Sequence, residues 1–159
     1  MKLIQLFEVT TERSVLSVMG TQKDVYNGYF KCSGKGLKSL NGCPSTINYG
    51  FDCSNNKLES LEGAPSVVNG YFYCHNNKLT SLAGINKIVK EINGAAYFRN
   101  NPITSNVLGL LRIKGLTEVR LDNRRVEKIL NKHLARGDRD IIKCQSELLD
   151  TGLEEYAKL

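Results

Sequence analysis

The chain repeats itself every 21 residues, and this period constrains the fold more than any other feature of the sequence. The recurring apolar residues are Phe30, Phe51 and Phe72; Cys32, Cys53 and Cys74; Leu37, Leu58 and Leu79; and Leu40, Leu61 and Leu82. A repeat of this length is typical of a solenoid, because one turn alone buries too few apolar side chains to be stable without its neighbours. The sequence therefore predicts stacked turns with a continuous core.

Within one repeat, the spacing of the residues predicts which side chains face the interior. Side chains two apart on a strand share a face, so Phe72 and Cys74 point inward while Tyr73 and His75 point outward. Asn77 then lies in an otherwise apolar column, together with Asn56 in the preceding copy, and a buried amide must find backbone partners. We count four such repeats and a closing strand within residues 116–123.

These patterns predict a single domain over residues 1–159, an α/β leucine-rich repeat solenoid with a short parallel β-sheet, an irregular convex side and a helical C-terminal cap. Residues 1–24 are expected to cover the N-terminal edge, with a short helix at 3–7 and a strand at 15–18. Residues 25–123 form the repeats, with a short helix within 107–114. Residues 124–159 form the cap, in which one helix follows Asn123 and a second runs from Asp138 to near Leu149.

The repeat motif resembles that of a known group of proteins. Residues 51–65 carry F-x-C-S-x-N-x-L-x-S-L-x-G-x-P, which resembles the repeats of small leucine-rich repeat proteins encoded by tailed bacteriophages. Segments 108–116, 121–123 and 152–157, with Cys144 and Gln145, are similar to the same group. The resemblance covers residues 25–159 and implies the fold and a phage source, but it implies little about activity.

Cysteine and histidine residues provide no recognisable catalytic or metal-binding motif. Cys32, Cys53 and Cys74 are expected to form a line of core thiols, whereas a structural zinc site needs four ligands in a tetrahedron. The sequence has no nucleophile elbow and no phosphate loop. We therefore expect no enzyme, no cofactor and no metal. The odd number of cysteines, five, without a secretory signal or a membrane span, predicts reduced thiols in a host cytoplasm.

The outward side chains of the strands are the candidate surface for binding a protein. Tyrosine and arginine dominate such surfaces because they combine a large contact area with a polar group. The predicted partner-binding residues are Tyr29, Lys31, Asp52, Tyr71, Tyr73, His75, Tyr97, Arg99 and Arg120. Ser33, Ser54 and Asp122 are predicted to face the same way. The alternative is an ordinary solvated sheet face with scattered aromatic residues.

A second candidate surface is basic, in a chain whose net charge is +6. Arg124, Lys128 and Lys132 follow one another at four-residue steps on the predicted helix, and Arg125 and Arg136 lie nearby. Such a stripe suits nucleic-acid phosphates or an acidic protein surface. It is equally the polar face of an amphipathic cap helix.

The leading hypothesis for function is a protein–protein interaction module. The resemblance implies that a phage encodes it and that it acts in the host cell by blocking or redirecting a host protein, for which a defence protein is one candidate. A nucleic-acid-binding accessory protein that uses the basic helix, and a minor virion structural protein, are the alternatives. A free sheet edge beside the first, imperfect repeat also predicts that two copies of the chain can pair.

Overall fold

The computed structural model describes residues 13–20 and 22–159, which fold as an α/β solenoid with helices at its ends. The strands are β1 Val25–Tyr26, β2 Phe30–Lys31, β3 Thr46–Ile47, β4 Phe51–Asp52, β5 Val67–Val68, β6 Phe72–Tyr73, β7 Glu91–Ile92, β8 Ala95–Tyr97 and β9 Glu118–Arg120. The helices are α1 Val15–Met19, α2 Ile85–Ile88, α3 Arg124–Ala135 and α4 Ile141–Asp150, with a 3₁₀ helix at Leu108–Arg112.

The strands form two parallel sheets, with one strand of each sheet in most turns. The order of the five-stranded sheet is β2-β4-β6-β8-β9, and that of the four-stranded sheet is β1-β3-β5-β7. Phe30 pairs in register with Phe51, and Phe51 with Phe72, so the 21-residue period of the sequence is one turn of the solenoid. The prediction that successive copies stack is confirmed.

Phenylalanine rings fill the interior from one turn to the next. The ring centroids of Phe30 and Phe51 are 6.1 Å apart, and those of Phe51 and Phe72 are 5.2 Å apart. In the fourth turn Ala96 takes the place of the phenylalanine, in register with Phe72. Phe98, two residues later, restores the lost volume, because its ring lies 5.9 Å from that of Phe72. All of these side chains are buried, so the column continues through the insertion that carries α2.

Buried asparagine side chains join each turn to the one before it. The Asn77 Nδ2 donates to the carbonyls of Cys53 at 3.1 Å and Cys74 at 3.2 Å, while its Oδ1 accepts from Leu58 N. Asn56 and Asn101 bond in the same manner one turn before and one turn after. The predicted role of the buried amide is confirmed, and it extends to Asn101.

The structure has a second parallel sheet, of four strands, where the sequence predicted one short sheet and an irregular convex side. Ile47, Val68 and Ile92 point into the core from this sheet, and their strands pair in parallel from turn to turn. An asparagine follows each strand of this sheet and bonds through its side chain to its counterpart in a neighbouring turn. Asn48 Nδ2 donates to Asn27 Oδ1 at 2.5 Å, and Asn69 and Asn93 continue this exterior ladder. Strands of two residues are too short for a recognisable alternation, so the sequence did not reveal them.

The ends of the solenoid differ in part from the prediction. The strand expected at residues 15–18 is helix α1, because Ser14 and Ser17 form a reciprocal capping box that starts a helix there. The helix expected at residues 3–7 lies outside the described residues. Helix α3 begins after Asn123, as expected, since the Asn123 side chain accepts from the backbone of Arg125 and Val126. Helix α4 begins at Ile141, after the cap Asp140, rather than directly after Asp138.

Candidate protein-binding surface

The outward side chains of the five-stranded sheet lie in straight rows across the turns. The register aligns the outward residues of its five strands in one row, which consists of Lys31, Asp52, Tyr73, Tyr97 and Arg120. Each member projects from the sheet because its two neighbours on the strand point into the core. The structure therefore brings together side chains that are far apart in the sequence.

Aromatic side chains occupy the middle of this face. We call Tyr29, Tyr71, Tyr73, His75 and Tyr97 the aromatic patch. The rings of Tyr73 and Tyr97 stack at a centroid distance of 4.8 Å, and Tyr71 lies 5.9 Å from Tyr73 and 6.2 Å from Tyr97. The His75 ring meets that of Tyr73 edge-on at 6.3 Å. These contacts hold the rings in place while leaving Tyr71 50% exposed.

Tyr29 joins the patch from the first turn by lying across Gly50. A Cβ at position 50 would overlap the ring of Tyr29, so the ring rests where only a glycine leaves room. Partial burial raises the pKa of Tyr29, and the negative charge of Asp52 raises it further. Gly50 is a residue of this surface that sequence reasoning missed, since a glycine two places before an outward strand position gives no signal of its own.

Asp52 lies between the patch and the turn that follows its strand. Its Oδ1 accepts from the backbone N of Ser54 at 3.0 Å and from the Ser54 Oγ at 2.6 Å. Ser54 itself is buried, so the prediction that it faces outward is wrong. The chain leaves the strand after Cys53 and turns at Asn55, which has a left-handed φ of 55°, and this turn folds Ser54 beneath Asp52.

The two arginines of the predicted surface form ion pairs with glutamates of the same chain. Arg99 pairs with Glu127 of α3 at 3.3 Å, and Arg120 pairs with Glu118 at 2.5 Å and with Glu127 at 3.5 Å. Burial alone would raise the pKa of Glu127, but the Leu121 N–H and the charges of Arg99 and Arg120 lower it overall. Arg99 and Arg120 thus fix α3 on the sheet. This role was not predicted, because it depends on their contact with Glu127, which lies on another element of the fold.

The basic residues of α3 are also partly paired. Lys132 binds Glu147 of α4 at 2.8 Å, and Arg125 donates to the carbonyl of Thr151 at 2.7 Å. Arg124 is 3.7 Å from Glu127 but remains largely exposed. Lys128 and Arg136 are exposed. Of the five basic residues of the predicted stripe, Lys132 and Arg124 face a carboxylate, and Arg125, Lys128 and Arg136 form no ion pair with the described residues.

The cysteine side chains are thiols in or near the core. All five are free, and Cys32, Cys53, Cys74 and Cys144 are buried. Burial is the main cause that raises the pKa of Cys53 and that of Cys144, the latter to about 12, so both thiols are protonated and unreactive at neutral pH. Hydrogen bonding to Cys32 raises the pKa of Cys43.

Within residues 13–20 and 22–159, no group of three histidine, cysteine, aspartate or glutamate side chains is arranged to hold a metal ion. The helices in this part of the chain are too short or too polar to span a bilayer. Comparison with protein-family models, with curated proteins and with solved structures finds no match to this chain.

Proposed function

We propose that this chain is a protein–protein interaction module of the leucine-rich repeat type, and that the aromatic patch is the centre of its binding surface. The observation that carries the proposal is the mutual packing of Tyr71, Tyr73 and Tyr97 on a rigid parallel sheet, with their rings partly exposed. Large aromatic side chains that are already held in place lose little conformational entropy when a partner binds. They are the usual anchors of protein interfaces.

The mechanism that we propose is steric. The five-stranded sheet docks on a partner protein and blocks or redirects it, without chemistry of its own. The setting, a phage-encoded protein that acts on a host protein in the host cytoplasm, rests on the resemblance of the repeat motif and not on the geometry of the patch. A host defence protein is one such target.

The experiment is affinity capture from host lysate with the intact chain, followed by quantitative mass spectrometry. Tyr73→Ala combined with Tyr97→Ala is expected to lose a protein that the wild type retains. Tyr49→Ala is the matched control, because Tyr49 is 65% exposed and makes no ring contact with the described patch residues. Circular dichroism must show that all variants are folded. Equal recovery of every captured protein by the double variant would refute the proposal.

The two alternative functions, nucleic-acid binding and a structural role in the virion, predict different experimental results. Binding of nucleic acid through α3 requires an affinity that falls steeply with salt and is lost on charge reversal of Arg124 and Lys128, two exposed residues of the stripe. A virion component would instead be found by mass spectrometry of purified particles. The ion pair of Lys132 with Glu147 within the cap weakens the first alternative.

A further inference from the structure

We propose that the partner presents an arginine or lysine side chain to the aromatic patch, where it lies against the ring of Tyr73 and pairs with the carboxylate of Asp52. This inference rests on the proposed function and adds the chemistry of the partner at the centre of the surface. The evidence for it is the position of the Asp52 carboxylate beside the rings of Tyr29 and Tyr73.

Asp52 has an oxygen that is free to accept a charged partner. Ser54 holds Oδ1 through two hydrogen bonds, which fix the orientation of the carboxylate. Its Oδ2 forms no hydrogen bond and no ion pair with the described residues. Lys31 lies opposite in register on β2, yet it forms no ion pair with Asp52 within 4 Å. The carboxylate is therefore fixed in place but not neutralised.

Tyrosine rings surround this carboxylate on two sides. Tyr73 lies next to Asp52 in the outward row, and Tyr29 reaches over Gly50 from the other side. Burial is the main cause that raises the pKa of Tyr29 and that of Tyr73, and the charge of the nearby Asp52 adds to it in both. The face of a tyrosine ring attracts cations, and a carboxylate beside it adds a direct ion pair. A guanidinium or an ammonium group satisfies both requirements at once.

The other charged residues of this face do not favour an acidic group from the partner. Arg99 and Arg120 pair with Glu127 and Glu118, so most of their charge is balanced within the molecule. An acidic side chain placed on the rings would meet the negative ring faces and the charge of Asp52. Of the two basic residues in the row, Arg120 is already paired with Glu118 and Glu127, which leaves Lys31 as the unpaired one among the described residues. Charge complementarity therefore favours a cationic group from the partner.

The first test uses small probes and does not require the partner. The chain with isotope-labelled tyrosine rings is titrated with acetyl-Gly-Arg-Gly-amide and with its citrulline analogue, which has the same shape but no charge. The arginine peptide is expected to shift the ring signals of Tyr29 and Tyr73, and Asp52→Asn is expected to weaken that binding roughly five- to tenfold. Asparagine keeps an oxygen that can accept from Ser54, so the variant removes charge with little change of shape. Equal shifts with both peptides would overturn the inference.

The second test compares two variants with a protein captured as described above. Asp52→Asn is expected to reduce its binding by a similar factor, while Lys31→Ala, which removes a positive charge that repels a cationic group, is expected to strengthen it. The reverse signs, with Lys31→Ala weakening and Asp52→Asn strengthening the complex, would show an acidic partner and overturn this inference while the proposed function stands. Failure of the proposed function is a separate result, namely full capture by the Tyr73 and Tyr97 double variant.

Discussion

The side chain of Asn131 pairs with Val119 as the backbone of a further strand would. Its Oδ1 accepts from the Val119 N–H at 2.8 Å, and its Nδ2 donates to the Val119 carbonyl at 2.9 Å. Two residues after Val119, the Leu121 N–H donates to the Glu127 Oε2 at 2.8 Å. Helix α3 thus satisfies the outer edge of β9, the last strand of the five-stranded sheet, and prevents the sheet from continuing.

We therefore predict that Asn131→Ala destabilises the fold. The change leaves the N–H and the carbonyl of Val119 without protein partners, which costs about 1–3 kcal/mol of unfolding free energy. Urea denaturation followed by circular dichroism measures the loss. Lys128→Ala, at an exposed position of the same helix, is the control and should change stability by less than about 0.5 kcal/mol. An Asn131→Ala variant as stable as Lys128→Ala would show that the edge needs no such cap.

The two asparagine ladders should differ in their contribution to stability. Asn77 is buried and bonds backbone groups of two turns, so Asn77→Ala leaves several buried polar groups unsatisfied and should cost about 2–4 kcal/mol. Asn69 belongs to the exterior ladder, where water replaces the lost bonds, so Asn69→Ala should cost less than about 1 kcal/mol. Parallel urea titrations measure both, and similar losses would contradict the distinction.

The parts of this fold that repeat were predictable from sequence, and the parts that depend on one long-range contact were not. Phe51, Cys53 and Asn56 recur at a fixed period, so their stacking and burial follow from the pattern. Nothing local distinguishes Asn131 from any other polar residue of an amphipathic helix. Its role appears only when α3 is placed against β9.

The candidate surface shows the same division. Alternation along the strands placed Tyr73 and Tyr97 on the outside, and the structure stacks their rings. Arg99 was assigned to the same surface by the same rule, but Glu127, 28 residues later, takes up its charge. The helical pattern of residues 124–135 gives no sign of this contact, because the pattern does not show which neighbour a charged residue such as Glu127 meets.

Stability should depend on pH through Glu127. Although burial opposes ionisation, the Leu121 N–H and the two arginines lower the pKa of Glu127 below its ordinary value, so its ionised form stabilises the folded state. This contribution is complete above the pKa of the unfolded chain, about 4.3, and is lost as the pH falls through the lower pKa of the folded state. Glu127→Gln should therefore cost about 1–3 kcal/mol at pH 7, and the cost should shrink as the pH falls below about 4.3.

Denaturation of wild type and Glu127→Gln at pH 7, 5 and 3 checks this dependence. Glu155→Gln is the control, since Glu155 lies at the surface and pairs only with the exposed Lys158 in the described chain. The control should follow the wild type at every pH. A difference between wild type and Glu127→Gln that stays constant from pH 7 to pH 3 would assign the effect to packing rather than to charge.

Two glycines near the aromatic patch should lose different amounts of stability when each is replaced by alanine. At Gly50 the added methyl group meets the ring of Tyr29, a half-exposed side chain that is able to swing aside, so Gly50→Ala should cost less than about 1 kcal/mol of stability. At Gly70 the methyl group would lie 2.7 Å from the carbonyl oxygen of Tyr49, which is backbone, so the neighbouring turn must move and the loss should be about 1–3 kcal/mol.

The Gly50→Ala variant also tests the surface itself. Because the ring of Tyr29 must leave its place across Gly50, its signals in a ring-labelled spectrum should shift while the core signals of Phe51 and Phe72 stay where they are. Binding of a captured partner, and of the arginine peptide, should weaken although the fold is intact. If the Tyr29 signals move and both affinities remain those of the wild type, Tyr29 is not part of the binding surface, and the surface is confined to the rings of Tyr71, Tyr73 and Tyr97.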